Sequence, residues 1–152
     1  MKIEKMRKEH IPAVAAIAAD SLAEAWSESA FGQELENPSA TVFVAVSDGE
    51  VIGFGGVQKV LDEAYINNIA VKNSFRRKGA GAAILDAIIK DCKGCAFVTL
   101  EVRVSNVAAI KLYEKFAHKD ILLALCKKLI QCNCKEKKMH VYFSEAIKEQ
   151  LR

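Results

Sequence analysis

The sequence predicts a single α/β domain in which helices cover both faces of a central mixed β-sheet. Its 152 residues suit one domain. The chain is 51% hydrophobic and 27% charged, with two prolines and eight glycines, a composition that excludes disordered and collagen-like chains. The predicted elements follow the order β, α, α, β, β, β, α, β, α, which is typical of a mixed α/β sheet and not of a repeat protein.

A strand and two helices open the chain. Residues 1–7 are typical of a short strand, and residues 11–25 repeat apolar side chains at three- and four-residue spacing, which predicts a helix. Ser27 is a suitable N-cap for a second, short helix. This helix carries Phe31 and Leu35 one turn apart, and Asn37 and Pro38 are predicted to close it.

A β-hairpin follows. Two strand-like runs, residues 41–46 and 51–60, flank an Asp48-Gly49 pair. An Asp-Gly pair is a strong hairpin signal because both turn residues must take a positive φ. Three glycines interrupt the second run: Gly53, Gly55 and Gly56. They predict a bulge or a close approach of another part of the backbone.

The remaining core elements are a strand at residues 65–71, a helix at 79–92, a strand at 97–104 and a helix at 107–116 opened by Asn106. Alternation along the last strand separates two sets of side chains. One set is apolar and predicted to be core: Val98, Leu100, Val102 and Val104. The other set carries a carboxylate and a guanidinium, and so forms a polar face.

The last part of the chain, residues 117–152, is predicted to be a divergent segment of the same domain. Lys and Arg number 7 against 3 Asp and Glu in residues 121–152, whereas residues 1–120 carry 15 against 16. Apolar residues first keep helical spacing and then alternate: Ile121, Leu122, Leu125 and Leu129, followed by Met139, Val141 and Phe143. The pattern predicts helix, strand and helix. A lineage-specific element, an oligomerisation segment and a shifted reading frame are all open as its origin.

The junction at residues 70–81 predicts an anion site. A strand leads into a basic turn, then glycines, then a helix. A helix N-terminus presents unpaired N–H groups and a positive dipole end, and glycine lets an anion approach the backbone. The junction lacks the Gly-x-Gly-x-x-Gly and Gly-Lys-Ser/Thr patterns of the dinucleotide and P-loop folds. A solvated basic turn is the alternative interpretation.

The run Arg76-Arg77-Lys78-Gly79-Ala80-Gly81 resembles the Arg/Gln-x-x-Gly-x-Gly/Ala motif of the GCN5-related N-acetyltransferases, and the strand Asn68-Ile69-Ala70-Val71 precedes it as in that family. Residues 100–106 and 108–114 resemble the bacterial ribosomal-protein-alanine N-acetyltransferase branch. The likeness covers residues 1–116. It implies the family's fold, with residues 1–116 as the acetyl-CoA-binding core and an atypical tail.

The resemblance also implies acetyl-CoA as cosubstrate, without a metal. The pantetheine arm would pair with the strand as an added strand, and the pyrophosphate would lie on the loop amides. The residues so implied are Ile69, Ala70, Val71, Arg77, Lys78, Gly79, Ala80, Gly81, Ala82 and, near the pantetheine, Asn106. Ala82 departs from the family, which commonly has a basic residue there. The main-chain amide of Val71 would be the oxyanion donor.

Two catalytic residues follow from the same resemblance. An α-amino group has a pKa near 7.7 to 8 and is mostly protonated at neutral pH, so a base is required. Glu101 is the candidate base, acting through water, and Tyr113 is the candidate acid for the leaving thiolate. The alternatives are that Glu101 pairs with Arg103 and that Tyr113 is a core residue.

The acceptor is expected to be an α-amino group, most simply the N-terminal residue of a ribosomal protein. Trp26 and Ser27 lie where the family's first interhelical loop shapes the acceptor pocket, although Ala25 stands where the family usually has proline. Trp26 could equally be a core anchor. A small amine or a lysine side chain is an alternative acceptor, and a non-catalytic acetyl-CoA-binding module is an alternative function.

Other features favour a cytoplasmic protein without nucleic acid or membrane partners. Glu4 and Glu9 interrupt what would be the basic region of a signal peptide, and no apolar run approaches the roughly 20 residues that span a bilayer. The basic turn lacks the interleaved aromatics of a nucleic-acid surface. The odd number of cysteines favours reduced thiols. A zinc site is a weaker alternative, with these ligands: Cys126, Cys132, Cys134 and His140.

Overall fold

The computed structural model of the chain describes the backbone of residues 1–119, 123–124 and 138–143, and the side chains of residues 1–115. The strands are β1 Lys2–Lys5, β2 Ala40–Ser47, β3 Glu50–Val60, β4 Glu63–Val71, β5 Phe97–Arg103, β6 Leu123–Ala124 and β7 Lys138–Phe143. The helices are α1 Ile11–Ser21, α2 Glu28–Glu36, α3 Ala80–Asp91 and α4 Val107–Lys119. The predicted order of elements is confirmed as far as α4.

The sheet is mixed, as predicted. Its hydrogen-bonded strand order is β1-β2-β3-β4-β5-β7-β6. β4 and β5 are parallel, whereas β1–β2, β2–β3, β5–β7 and β6–β7 are antiparallel. The chain divides into two compact units, Met1–Lys59 with Asn67–Lys93, and Val60–Ile66 with Gly94–Arg152. β4 contributes its first half to the second unit and its second half to the first.

The core of the first unit lies between α1, α2 and one face of the sheet. The side chains that form it come from both helices and from β2, β3 and β4: Val14, Ile17, Ala18, Phe31, Val42, Val44, Phe54 and Ala70. Phe31 packs edge-on against Phe54, with ring centroids 5.4 Å apart. Leu35, one turn further along α2, is 39% exposed, whereas Phe31 is 1% exposed. The helix therefore buries a narrow stripe.

α3 covers the opposite face of the first unit, which confirms helices on both faces. The glycines of β3 make this packing possible. A Cβ built on Gly55 would lie 2.5 Å from Cγ2 of Ile84, so the helix approaches the strand more closely than any side chain at that position permits. The expected bulge is present too, because β3 carries one extra residue, Ile52, where the register shifts between Ala45 and Val46.

The hairpin turn is confirmed, with Asp48 at φ 50 and Gly49 at φ 79. α1 ends at Ser21 instead of residue 25, because Leu22 takes an extended conformation. Val104, predicted to be core, is 44% exposed just beyond the end of β5. In the described part of the chain no helix is long and apolar enough to cross a membrane.

The tail departs from the predicted pattern. β7, Lys138–Phe143, confirms the strand inferred from alternation. The helix predicted from the spacing around residues 121–129 is wrong at Leu123–Ala124. These two residues form β6 and pair with the end of β7. Pairing with a neighbouring strand overrides local periodicity in such a short segment. The rest of that predicted helix and the final predicted helix lie outside the described residues, and α4 runs to Lys119 instead of 116.

Candidate active site

Among the described residues, the pairing of β4 with β5 ends partway along β4. Its parallel pairing with β5 runs from Glu63 opposite Phe97 to Ile66 opposite Leu100. Residues 67–71 continue the strand past the last of these pairs. We call residues 67–71 the open segment of β4.

In the open segment, the backbone N–H and C=O groups of successive residues point alternately toward β3 and away from it. The N–H of Lys72 donates to the carbonyl of Ile52 in β3, 2.8 Å away. Because successive residues of a strand turn their N–H and C=O groups to opposite edges, Ile69 and Val71 turn theirs away from β3. Ala70 turns its own toward β3 and buries its methyl group in the core. Of the three strand residues predicted to bind pantetheine, the geometry therefore favours Ile69 and Val71.

The loop after β4 has an unusual backbone conformation where it leads into the N-terminus of α3. Arg77 has φ 61, and Gly79, the N-cap of α3, has φ 90. The first N–H bonded within the helix is that of Ala83, which donates to the Gly79 carbonyl at 3.0 Å. The preceding amides of α3, those of residues 80–82, have no acceptor within the helix. The predicted phosphate loop thus presents donors at the positive end of a helix dipole, an arrangement that fits a diphosphate.

The cations around this loop divide into two pairs. Lys72 forms an ion pair with Glu50. Arg76 donates from Nε to the carbonyl of Val71 at 3.0 Å and from Nη2 to Oγ of Ser21 at 3.4 Å. Two exposed cations remain, for which the described residues offer no salt bridge: Arg77 and Lys78. They are the side chains best placed to add charge to a phosphate contact, and both were predicted to bind the cofactor.

The second unit holds both predicted catalytic side chains. Glu101 is exposed on β5, between the buried Leu100 and Val102, and lies opposite His140 of β7 in the strand register. The predicted polar face of this strand is therefore confirmed at Glu101. An exposed carboxylate on a strand is accessible to water, as a base acting through a water molecule requires.

Tyr113 lies on α4 and is only 8% exposed. Burial raises the pKa of its hydroxyl to about 12, because the charged tyrosinate loses its hydration. The hydroxyl is consequently neutral throughout the physiological range and is able to donate a hydrogen bond. The interpretation of Tyr113 as a core residue is correct as far as burial goes, and it is compatible with a role for the hydroxyl.

Asn106 is the N-cap of α4, as predicted. Its Oδ1 accepts a hydrogen bond from the N–H of Ala109 at 3.2 Å, and its own N–H donates to the carbonyl of Arg103 at 2.9 Å. The cap uses the oxygen of the carboxamide. Nδ2 takes no part in the cap and could donate to a cofactor.

The two predicted acceptor residues both have structural roles. Trp26 is partly buried and packs against the core of the first unit, with its ring 5.5 Å from that of Phe31. Oγ of Ser27 accepts from the N–H of Ala30 at 3.1 Å and caps α2. The loop between α1 and α2 is thereby fixed at its C-terminal end. Binding of an acceptor by these residues stays a prediction.

Sequence reasoning missed Asn67, whose Nδ2 is buried and lacks a hydrogen-bond partner among the described residues. No local signal in the sequence separates Asn67 from the adjacent Asn68. Cys92 and Cys95 are free thiols, as expected. Among the described residues no cluster of three or more side chains could hold a metal ion, and the cysteines of the zinc alternative lie outside them.

Two protein-family models match the chain. The model of the acetyltransferase (GNAT) family matches residues 11–118. A second model, the N-terminal region of a family of unknown function (DUF5717), matches residues 107–152.

Curated relatives resemble most of the chain. The [ribosomal protein bS18]-alanine N-acetyltransferase of Escherichia coli (strain K12) is 35% identical over 120 residues, or 78% of this chain and 80% of that protein. A Bacillus subtilis (strain 168) protein, provisionally named as the same enzyme, is 38% identical over 117 residues, or 75% of this chain and 78% of its own.

Solved structures share the fold. The Escherichia coli ribosomal-protein-S18-alanine N-acetyltransferase superposes with a TM-score of 0.76 at 30% identity, covering 94% of this chain and 92% of that one. Ard1 from Thermoplasma volcanium gives a TM-score of 0.74 at 26% identity, covering 94% and 97%. The chain therefore belongs to the GNAT acetyltransferase family, in the ribosomal-protein-alanine N-acetyltransferase branch, and is an acetyl-CoA-dependent N-acetyltransferase.

Proposed function

We propose that this enzyme acetylates the α-amino group of a protein N-terminus, with an N-terminal alanine of a ribosomal protein as its acceptor. Relatives that are 35% to 38% identical over three quarters of the chain carry the name of that activity. The observation that carries the proposal is local: an open segment of β4 leads directly into a helix N-terminus with unbonded amides. We further propose that residues 1–116 form the functional core and that the reaction takes place in the cytoplasm.

The cosubstrate is acetyl-CoA, and the first unit offers groups that fit its two polar parts. The diphosphate would accept hydrogen bonds from the amides of residues 77–82, with Arg77 and Lys78 adding positive charge. The pantetheine arm would pair with the main chain of Ile69 and Val71, in the manner of an added strand. Both interactions depend on backbone geometry and so are largely independent of side-chain identity.

Glu101 is proposed to remove a proton from the acceptor through a water molecule. Only about a tenth of an α-amino group with a pKa near 8 is neutral at pH 7. The neutral nitrogen attacks the thioester carbon, the C–N bond forms, and the carbonyl electron pair moves to oxygen. Glu101, being exposed, has by then released the first proton to solvent and is ionised again. The electron pair returns from the oxygen to re-form the carbonyl, the C–S bond breaks and the coenzyme leaves as a thiolate, while the second proton of the nitrogen passes through the water to the carboxylate of Glu101.

Tyr113 is proposed to assist departure of the thiolate by hydrogen bonding. Its pKa of about 12 lies well above the value near 8.5 of an ordinary thiol, so full transfer of its proton would be uphill. The buried, neutral hydroxyl can instead donate to the sulfur as negative charge develops there. This assigns Tyr113 the role of a donor, which is narrower than the general acid inferred from the sequence.

A peptide panel tests the proposal directly. Purified full-length chain is mixed with acetyl-CoA and peptides that begin with alanine, with another residue, or with a blocked N-terminus plus a free lysine, and thiol release is measured. We expect turnover with the alanine peptides. Glu101→Gln should lower kcat at least tenfold and leave CoA affinity unchanged, whereas Glu114→Gln, an exposed carboxylate on α4, should match the parent.

Other outcomes overturn the proposal in distinct ways. Turnover with the lysine peptide or a small amine alone would exclude the N-terminal acceptor and retain the enzyme. Tight CoA binding without turnover of any amine would indicate a binding module.

A further inference from the structure

Asn67 carries a polar atom that the ligand-free fold does not satisfy. Its Nδ2 is inaccessible to water and has no hydrogen-bond partner in the part of the chain that the structure describes. The two residues that precede it on β4 differ in exposure: Tyr65 is 41% exposed, and Ile66 is only 4% exposed. A buried donor without an acceptor lowers the stability of the fold, because the hydrogen bond it made to water is not replaced. Native proteins contain few such groups, and an acceptor supplied by a ligand is one explanation for them.

The position of Asn67 suggests which ligand supplies that acceptor. Ile66 is the last residue of β4 paired with β5, so Asn67 is the first residue of the open segment. The phosphate loop follows Val71 at the other end of the segment. A cofactor whose diphosphate lies on that loop enters the segment at Val71 and runs toward Asn67. Four residues of strand correspond to about 13 Å, and pairing with β5 closes the edge beyond Asn67.

The arm therefore directs its acyl end, not its phosphate end, to Asn67. The acyl thioester has one strong acceptor, the carbonyl oxygen, which becomes negatively charged when the amine adds. A donor kept away from water is most effective at such an oxygen, because it needs no reorganisation during the reaction. The Val71 amide, expected from the sequence to serve the oxyanion, lies at the end where the arm enters.

We propose that the carboxamide of Asn67 is a further catalytic residue, with Nδ2 donating a hydrogen bond to the acyl carbonyl oxygen and to the oxyanion that forms from it. Asn67 as a whole is only partly buried. Part of the residue is therefore open to a ligand, and an acyl group that enters along the strand edge would bring to Nδ2 the acceptor that it lacks. The proposal rests on the proposed function, since it requires an acyl-CoA on β4.

A comparison of acetyl-CoA with free CoA isolates this interaction, because free CoA lacks the carbonyl. Both affinities are measured by calorimetry on the full chain, together with kcat on an alanine peptide. Asn67→Leu should lower kcat between tenfold and a hundredfold, bind free CoA within twofold of the parent, and lose any preference for acetyl-CoA. Its stability toward urea should equal or exceed that of the parent, because the unsatisfied amide is gone.

Two controls complete the test. Asn68→Leu makes the same exchange on the opposite face of β4 and should keep the parental ratio of the two affinities. Asn67→Thr and Asn67→Val differ only in a hydroxyl and a methyl group, so the pair decides the outcome even if the leucine variant fails to fold. The threonine variant should exceed the valine variant in kcat by at least fivefold.

Equal kcat for the threonine and valine variants, or a leucine variant with parental kcat, would overturn the role of Asn67 and leave the proposed function intact. Failure of the parent chain itself to bind CoA would instead overturn the proposed function.

Discussion

Arg76 donates a hydrogen bond from Nε to the main-chain carbonyl of Val71 at 3.0 Å. The same guanidinium reaches Oγ of Ser21 at the end of α1. Arg76 thus ties the loop after β4 to the strand before it and to the end of α1. The side chain positions the loop, and under the proposed function the backbone amides, Arg77 and Lys78 would contact the diphosphate.

Replacing Arg76 should weaken cofactor binding through this positioning effect. Arg76→Met removes both hydrogen bonds, and we expect CoA affinity to fall about three- to tenfold, the equivalent of one modest hydrogen bond. Arg76→Gln keeps an N–H donor and should recover part of the loss. Calorimetric titration with CoA gives the affinities. Arg7→Met, which removes an exposed arginine near the N-terminus, is the control and should bind as the parent does. Parental affinity for the methionine variant would refute the positioning role.

Gly79 is required for its backbone conformation and not for lack of space. It has φ 90, yet a Cβ there would meet nothing within 4 Å. Gly79→Ala should therefore lower the free energy of unfolding by about 1–2 kcal/mol and weaken CoA binding, since the left-handed conformation is strained for alanine. Gly32→Ala has equal space on the helix α2 and should stabilise the protein. Urea denaturation measures both, and equal effects of the two substitutions would contradict this interpretation.

Gly55 is required for space. Its substituted Cβ would lie 2.5 Å from Cγ2 of Ile84 and 3.0 Å from Cδ1 of Ile88. We expect Gly55→Ala to lower the free energy of unfolding by about 1–3 kcal/mol, because α3 must move away from the sheet. At the neighbouring Gly56 the nearest atom is 3.7 Å away, so Gly56→Ala should change stability little. A Gly55→Ala variant as stable as Gly56→Ala would show that α3 packs less tightly than described.

Burial of Tyr113 makes stability depend on alkaline pH. Its pKa is about 12 in the folded chain and 10.0 as the reference value, so the unfolded chain ionises first as pH rises. The stabilisation is complete below pH 10 and is lost between pH 10 and 12, by up to about 3 kcal/mol. Tyr113→Phe should lack this component. The difference in unfolding free energy between parent and variant, followed from pH 8 to 12 in urea, should be flat to pH 10 and then change. A difference independent of pH would indicate an accessible hydroxyl.

Most of the fold could be predicted from local signals. The Asp48-Gly49 turn, the Ser27 cap and the Asn106 cap each follow from one backbone requirement that few residue types meet, and the structure confirms all three. Leu123–Ala124 was mispredicted because its helical spacing is outweighed by strand pairing with residues far along the chain.

The site was predictable only in part. The glycine-rich loop and the strand before it can be recognised because they follow one another in sequence. The orphaned Nδ2 of Asn67 could not be foreseen, since its burial and lack of a partner are properties of the packed structure. The contact of Arg76 with Ser21 depends on the position of α1. For that reason the basic run could not be divided from the sequence into a positioning residue and candidate phosphate-binding residues.

A crystal structure of the chain with CoA tests the central claim most directly. The account predicts the diphosphate within hydrogen-bonding distance of the amides of residues 80–82, and the pantetheine arm paired with the main chain of Ile69 and Val71, with its sulfur toward Asn67. A coenzyme bound elsewhere, or an arm running in the opposite direction along β4, would contradict it.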